Sequence, residues 1–147
     1  MPSKKTVRRA QADLRAGKRP TTAAGEFVRE EMEHIREGKH GARSTKQAIA
    51  IGLSKARRAG VPLQPPAEGT TSGRTRRSAK RDLATGQGRR KTRAPSARRR
   101  RATTKALRKE PRSAASHSAL SRQAKSTARR RRRTTTSRRK QHAKRSA

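Results

Sequence analysis

The sequence predicts a mostly disordered protein, with a small all-α head and an intrinsically disordered basic tail. Two observations predict the head: a fully capped amphipathic helix over 45–59 and a second apolar helix face over 23–37. A third predicts the tail, because residues 74–147 hold 29 Lys or Arg and only two acidic residues. The whole chain of 147 residues has a formal net charge of +35 and is 27% hydrophobic. High charge with low hydrophobicity is typical of chains that bury too little apolar surface to fold.

The helix over 45–59 has the most complete set of local signals. Ser44 can cap its first free amides, and Gln47 can complete an S-x-x-Q capping box. The apolar face is formed by Ile49, Leu53 and Ala56, and is widened by Ala48, Gly52 and Ala59. Gly60 suits the left-handed C′ position, and Pro62 prevents continuation of the helix. Because this face is broad, it needs a partner within the chain.

A second helix over 23–37 provides that partner. Its apolar side is formed by Ala24, Val28, Met32 and Ile35, with Phe27 at the edge. The loop over 38–43 is short enough to return the chain antiparallel, which predicts a helical hairpin. A third short helix over 6–16 can add a layer through Val7, Ala10 and Leu14. The predicted domains are a helical head at 1–62, a Pro/Gly linker at 63–73 and a disordered arginine-rich tail at 74–147.

Four glutamates form an acidic stripe on the side of helix 23–37 that lies opposite its apolar face: Glu26, Glu30, Glu33 and Glu37. The simplest interpretation is a solvated face with i, i+3 partners, such as Glu26 with Arg29. A second interpretation is that the stripe docks the chain's own tail and weakens its nonspecific binding. A third is that it docks another basic protein.

The tail carries the main functional signal. Arginine dominates its charge, and the guanidinium fork suits phosphate contacts. B-DNA carries one phosphate charge per about 1.7 Å of axis, so the 29 cations match about 50 Å of duplex. Such binding is strong, salt-dependent and indifferent to base sequence. DNA is the expected partner and RNA the second, since the tail has no aromatic side chain on which single-stranded bases could stack.

The residues expected to contact nucleic acid fall into two groups. The tail group consists of Arg98, Arg99, Arg100, Arg101, Arg129, Arg130, Arg131, Arg132, Arg133, Arg138, Arg139 and Lys140. The head group consists of Lys46, Arg57 and Arg58, on the predicted solvent side of helix 45–59. That helix can also be interpreted as the recognition helix of a helix-turn-helix. A plain scaffold helix is favoured, because phosphates would repel the neighbouring acidic stripe.

Several kinds of site and segment are excluded by what the sequence contains. There is no cysteine, which excludes disulfides and Cys-based zinc sites. His34 and His40 are six residues apart across a helix end and lack metal-ligand spacing, so no metal and no cofactor is expected. No apolar run approaches the roughly 18 residues of a membrane span, and the basic N-terminus lacks an apolar signal core. The chain is expected to be a cytoplasmic protein without enzymatic activity and without a membrane partner.

The segment over 25–61 contains the block K-Q-A-I-A-I-G-L-S-K-A-R-R-A-G, from Lys46 to Gly60. On this block the chain resembles a family of small, functionally uncharacterised bacterial proteins, which implies no established activity. The tail, separately, is similar in composition to the tails of histone H1-like bacterial nucleoid proteins, although arginine takes the place of their lysine and alanine. That second resemblance implies a mode of DNA binding and association with the nucleoid.

The leading hypothesis is therefore a nucleoid-associated, histone H1-like protein. It would neutralise, bridge or condense DNA without sequence preference through its arginine-rich tail. The alternative is a protein-interaction module, in which the head binds another protein or a second copy through residues 23–59 and the tail anchors it to DNA or RNA. The first hypothesis needs only the tail for binding, whereas the second needs a specific surface on the head.

Overall fold

A computed structural model describes residues 2–91 and 96–145, with side chains described for 2–91, 96–133 and Thr135. Within these residues the fold is all-α, with six α-helices and one 3₁₀ turn. The elements are α1 (Lys4–Arg15), α2 (Pro20–Arg36), α3 (Thr45–Arg58), α4 (Gly73–Gly86), α5 (Ala97–Lys109), the 3₁₀ turn η1 (Arg112–Ala115) and α6 (His117–Arg145). The first three helices lie close to the ranges predicted from sequence.

The ends of α3 show why this segment is helical. The Ser44 hydroxyl accepts from the Gln47 amide at 3.2 Å, and the Gln47 side chain accepts from the Arg43 amide at 2.8 Å. At the other end Gly60 has a φ of 95°, and the Val61 amide donates to Ala56 O at 3.1 Å. This is a Schellman ending, in which a left-handed glycine lets the chain turn back over the last carbonyls.

The contact between α2 and α3 is made by small residues. Ala48 and Ala56 are fully buried, and Gly52 is buried between them. A Cβ atom on Gly52 would lie 2.8 Å from Val28 Cα, so the two backbones are in direct contact. The larger Ile49 and Leu53 flank this seam and are only partly buried. The face used for the hairpin is therefore the small-residue side of the predicted stripe.

Two hydrophobic clusters hold the fold together. The first surrounds Phe27 and consists of Ala10, Ala23, Ala24, Phe27, Ala56, Val61 and Leu63. The second surrounds Ile35 and consists of Met32, Ile35, Ala42, Ala48, Ala114 and Ala115, with Leu120 packed against it. The second cluster combines residues of the predicted head with residues of the predicted tail, so the two regions share a core.

The prediction of a mostly disordered chain with a disordered tail is wrong, because residues 74–145 include three α-helices. Each begins after a serine whose hydroxyl accepts from a backbone amide: Ser72 from Thr75 at 3.2 Å, Ser96 from Arg99 at 3.3 Å and Ser116 from Ala119 at 3.2 Å. Arginine, alanine and lysine, which dominate these segments, have favourable helix propensities. The buried apolar residues of the tail are mostly alanines, namely Ala79, Ala114 and Ala115 beside Leu83, so a low overall hydrophobicity did not prevent its docking.

Side chains of the head fix the turn η1 in place. Thr45 Oγ1 donates to Ala114 O at 2.7 Å, and Arg36 Nε donates to Ala115 O at 2.9 Å. Ala114 is 6% exposed and Ala115 is fully buried. The turn is therefore attached through its carbonyls as well as through its methyl groups, and it places the start of α6 against α3.

The loop between α2 and α3 makes a second attachment, through two backbone amides. The Gly41 amide donates to Leu107 O at 2.9 Å, and the Ala42 amide donates to Pro111 O at 3.1 Å. A Cβ atom on Gly41 would lie 1.8 Å from Glu110 O, which only a glycine avoids. This loop holds the C-terminal end of α5, whereas the rest of α5 has no buried residue.

The predicted Pro/Gly linker is docked at its beginning. Leu63 is 9% exposed and belongs to the Phe27 cluster. Arg57 Nε donates to Leu63 O at 3.1 Å, and Arg57 Nη2 donates to Gln64 O at 3.3 Å. Beyond it, Ala79 and Leu83 of α4 are buried, and Ser54 of α3 donates to Asp82 Oδ2 at 2.5 Å. Among the helices of the described residues, none combines the length and the hydrophobicity of a membrane span.

Candidate nucleic-acid interface

The two arginine runs lie on exposed helix surface. Arg98 to Arg101 form the first turn of α5, and Arg129 to Arg133 lie in the middle of α6. All nine side chains are exposed. α6 is 29 residues long, or about 43 Å, and its sequence has twelve Lys or Arg and no acidic residue. It is therefore a long cationic rod.

The charge of α6 surrounds the helix at the arginine run. Successive residues are about 100° apart, so five consecutive arginines project in all directions. Nearer its start, α6 has a less charged side that faces α3, where Leu120, Gln123 and Thr127 line a shallow groove with Ile49. Because the run is charged on every side, it can contact a phosphate backbone from any direction. It does not present a single face suited to reading bases.

Lys46 comes close to the tail, which sequence spacing alone could not show. It lines an open cleft between the start of α3 and the first turns of α6, together with Arg43, Arg122, Gln123 and Ser126. Lys46, Arg43 and Arg122 are all exposed. Sequence reasoning missed Arg43 and Arg122 as candidates because each is an isolated cation. Their contribution depends on how η1 positions α6 against α3.

Arg57 has a structural role in the fold. It is 7% exposed, and its guanidinium is directed at the carbonyls of Leu63 and Gln64. Burial lowers the pKa of Arg57, with Asp82 acting in the opposite direction. The prediction that Arg57 lies on the solvent side of α3 is wrong, because the last turn of α3 covers the chain that follows it.

Arg58 is exposed, as expected for a surface cation. Its Nε lies 3.6 Å from Asp82 Oδ1 and donates to Ser54 O at 3.4 Å. An acidic residue of α4 therefore offsets part of its charge. The remaining sequence candidates are Arg138, Arg139 and Lys140, whose backbone belongs to α6 and whose side chains lie outside the described residues.

The acidic residues pair with cations outside the two arginine runs. Asp13 pairs with Lys18, Glu37 with Lys39, and Glu68 with Arg76. Glu26 of the acidic stripe lies 3.8 Å from Arg9 and 3.4 Å from Arg29, which confirms the expected i, i+3 pair. Glu30 is buried and accepts from the Ser3 amide at 2.7 Å, so the stripe is not a continuous solvated face.

One comparison with known proteins gives a match. The model of a family of unknown function (DUF6496) matches residues 15–66. The matched segment contains α2, α3 and the docked residues Leu63 and Gln64, and it also contains the Lys46–Gly60 block. The chain is thus similar to an uncharacterised family over its hairpin, whereas α4, α5 and α6 lie beyond the match. No curated protein and no solved structure matches the chain.

Proposed function

We propose that this protein binds nucleic acid without sequence preference, with double-stranded DNA as the first candidate and RNA as the second. The observation that supports it is the separation of charge. Seven acidic residues pair with cations or histidines outside the arginine runs, while the runs on α5 and α6 stay exposed. The nine arginines of these two runs therefore lie where a polyanion can reach them.

The dimensions of α6 suit a duplex. A helix of about 43 Å runs beside roughly 25 phosphate charges of B-DNA, more than the twelve cations it carries. Each neutralised phosphate releases counterions, which drives binding and makes it weaken steeply with salt. Arginine forks hold phosphate oxygens in pairs. The cleft that contains Lys46 can add contacts where α6 meets the hairpin.

A helical tail favours binding along one duplex over bridging between distant duplexes. Fully extended, residues 74–147 would reach about 250 Å, enough to bridge distant duplexes. As docked helices they reach much less, because the rise per residue is about 1.5 Å and η1 holds the start of α6. The proposed mode is therefore lateral binding of α6 along one duplex, with association to the nucleoid following from that binding.

The alternative of a protein-interaction module has less support. It needs a specific surface on residues 23–59, a segment that includes the apolar face of the hairpin. Ala114, Ala115 and Leu120 of the same chain cover part of that face, so a partner protein is not needed to bury it.

The test is salt-dependent binding of the full chain to matched duplexes of DNA and RNA. Arg129→Gln with Arg133→Gln should lower the slope of log affinity against log salt by about 1.8, or about 0.9 per lost contact. The control is Arg8→Gln with Arg15→Gln, which removes the same charge from exposed positions of α1 and should change the slope less. If the full chain fails to bind either duplex at about 50 mM salt, the proposal is overturned.

A further inference from the structure

Three side chains with metal-ligating atoms meet where α2 ends and the following loop turns back. Glu31, His34 and His40 each offer one ligand atom, and these atoms lie within 4.8 Å of one another. Sequence spacing argued against a site here, since the histidines lie on either side of a helix end. Gly38, with a φ of 76°, and the bond from the Lys39 amide to His34 O at 3.0 Å fold the loop back over α2.

The carboxylate of Glu31 is the central feature of this cluster. Its side chain is only 1% exposed. One carboxylate oxygen, Oε2, accepts from Lys55 Nζ. The other, Oε1, is buried and receives no hydrogen bond. Since buried polar atoms normally have a partner, this oxygen requires an explanation.

The His40 ring is the group nearest to that oxygen on the loop side. Its Nδ1 lies 3.0 Å from Gly41 O, and a carbonyl oxygen can only accept, so Nδ1 carries the hydrogen. In the neutral ring Nε2 is then an acceptor, and it lies 3.2 Å from Glu31 Oε1. Two such atoms at this separation need a cation between them, and that cation is either a proton on Nε2 or a metal ion. Two ligands of a tetrahedral zinc ion are about 3.3 Å apart, from bonds of about 2.0–2.1 Å.

The surroundings of His40 are typical of a metal ligand. A histidine bound to a metal usually donates its other nitrogen to a carbonyl or carboxylate, as His40 does to Gly41 O. His34 Nε2 lies 3.8 Å from Glu30 Oε1, and the Ser3 amide holds that oxygen. Burial, together with the charges of Lys39 and Lys55, lowers the pKa of His34.

We propose that Glu31, His34 and His40 form a binding site for a divalent transition metal ion of the zinc class. The protein ligands are Glu31 Oε1, His40 Nε2 and one ring nitrogen of His34. The histidine side chains are 22% and 16% exposed, so a further ligand can be water. The ion would join α2 to the same loop whose amides hold Leu107 O and Pro111 O, and so would stabilise the attachment of the tail.

Substitution of Lys55 distinguishes a metal site from a plain network of ion pairs. The Lys55 ammonium group pairs with Glu31 Oε2 and offsets the charge that a metal ion needs, so it weakens the site. A unit charge a few ångströms away changes affinity by about fivefold even at high dielectric constant. Lys55→Met should therefore tighten Zn²⁺ binding by at least about fivefold. A cluster that serves only as an ion-pair network would gain nothing from this change.

The experiment is calorimetric titration of Zn²⁺ into the untagged full chain, with the visible absorption of Co²⁺ as a second probe of ligand geometry. The expected result is one ion per chain. His34→Gln and His40→Gln should each weaken binding by at least about tenfold, since even outer residues of metal sites have effects of about 10–100-fold. The control is His117→Gln, at the exposed start of α6, which should leave the affinity unchanged.

Two results would overturn the proposal. One is Zn²⁺ affinity of the unchanged chain equal to that of the His34→Gln, His40→Gln double variant, with both helical by circular dichroism. The other is an affinity of the Lys55→Met variant no higher than that of the unchanged chain. This second comparison keeps both histidines, so it decides the question even where a histidine variant fails to fold.

Discussion

Gly52 and Val28 bring the backbones of α2 and α3 into direct contact, since a Cβ atom on residue 52 would lie 2.8 Å from Val28 Cα and 3.0 Å from Val28 N. Backbone atoms cannot move aside as a flexible side chain can. The separation of the two helices is therefore set by the absence of a side chain at one position. The hairpin in turn carries η1 and, through it, α6.

Gly52→Ala should destabilise the chain, because the two helices must separate to admit the methyl group. We expect the free energy of unfolding to fall by about 1–3 kcal/mol, the range of overpacked cores, measured by thermal or urea denaturation. Gly25→Ala in α2 is the matched control, since a Cβ there meets nothing within 4 Å. It should stabilise the helix by up to about 1 kcal/mol. Equal effects of the two variants would contradict the close contact.

Gly41→Ala should displace the C-terminal end of α5 from the head. A Cβ at this position would lie 1.8 Å from Glu110 O, so the end of α5 and η1 would have to move. Hydrogen exchange should show loss of protection at the Gly41 and Ala42 amides, with α2 and α3 amides changed less. Protection at residue 42 that matches the unchanged chain would show that this attachment does not form.

Thr45→Val tests the attachment of η1. Its hydroxyl donates to Ala114 O at 2.7 Å in a buried setting, and valine would leave that carbonyl without its partner. The expected loss is about 1–3 kcal/mol of unfolding free energy. Thr103→Val is the control, because its hydroxyl bonds to Arg99 O on the exposed face of α5 and should cost about 0.5 kcal/mol or less. If both variants lost a similar amount of unfolding free energy, the hydrogen bond between Thr45 and η1 would not form.

Arg57 and Arg58 are adjacent, but their substitution should change the free energy of unfolding by different amounts. Arg57→Met removes both donors to the carbonyls of Leu63 and Gln64, and should lower the free energy of unfolding by about 1.5–3 kcal/mol. Arg58→Met removes an exposed pair with Asp82 and should cost about 1 kcal/mol or less. Thermal unfolding of the two variants measures the difference. The opposite ranking would mean that Arg57 faces solvent, as sequence spacing indicated.

The hairpin could be predicted because its signals are local. The bounds of α3 depend on Ser44 at one end and Gly60 at the other, and each acts on amides or carbonyls within four residues. Prediction of the tail failed for the converse reason. Its serine caps were legible in the sequence, but the apolar surface that holds it consists of alanines such as Ala114 and Ala115, whose burial depends on the head.

The candidate sites also include some features that the sequence predicts and others that depend on packing. The exposed arginine runs were legible in the sequence, because uninterrupted charge cannot be buried on any helix. The position of Lys46 beside Arg122 was not, since it depends on how η1 directs α6. Nor was the burial of Glu31, which lies next to the predicted acidic stripe.

The sequence by itself determined where α3 begins and ends, that the chain is strongly cationic, and that its acidic residues lie mostly in the first half. Tertiary structure alone decided that the tail is part of the fold, that Arg57 faces inward, and that His40 meets Glu31. The physical reason is range. Caps, helix propensity and net charge act within a few residues or over the whole chain, whereas burial and ligand geometry depend on residues distant in sequence that only packing brings together.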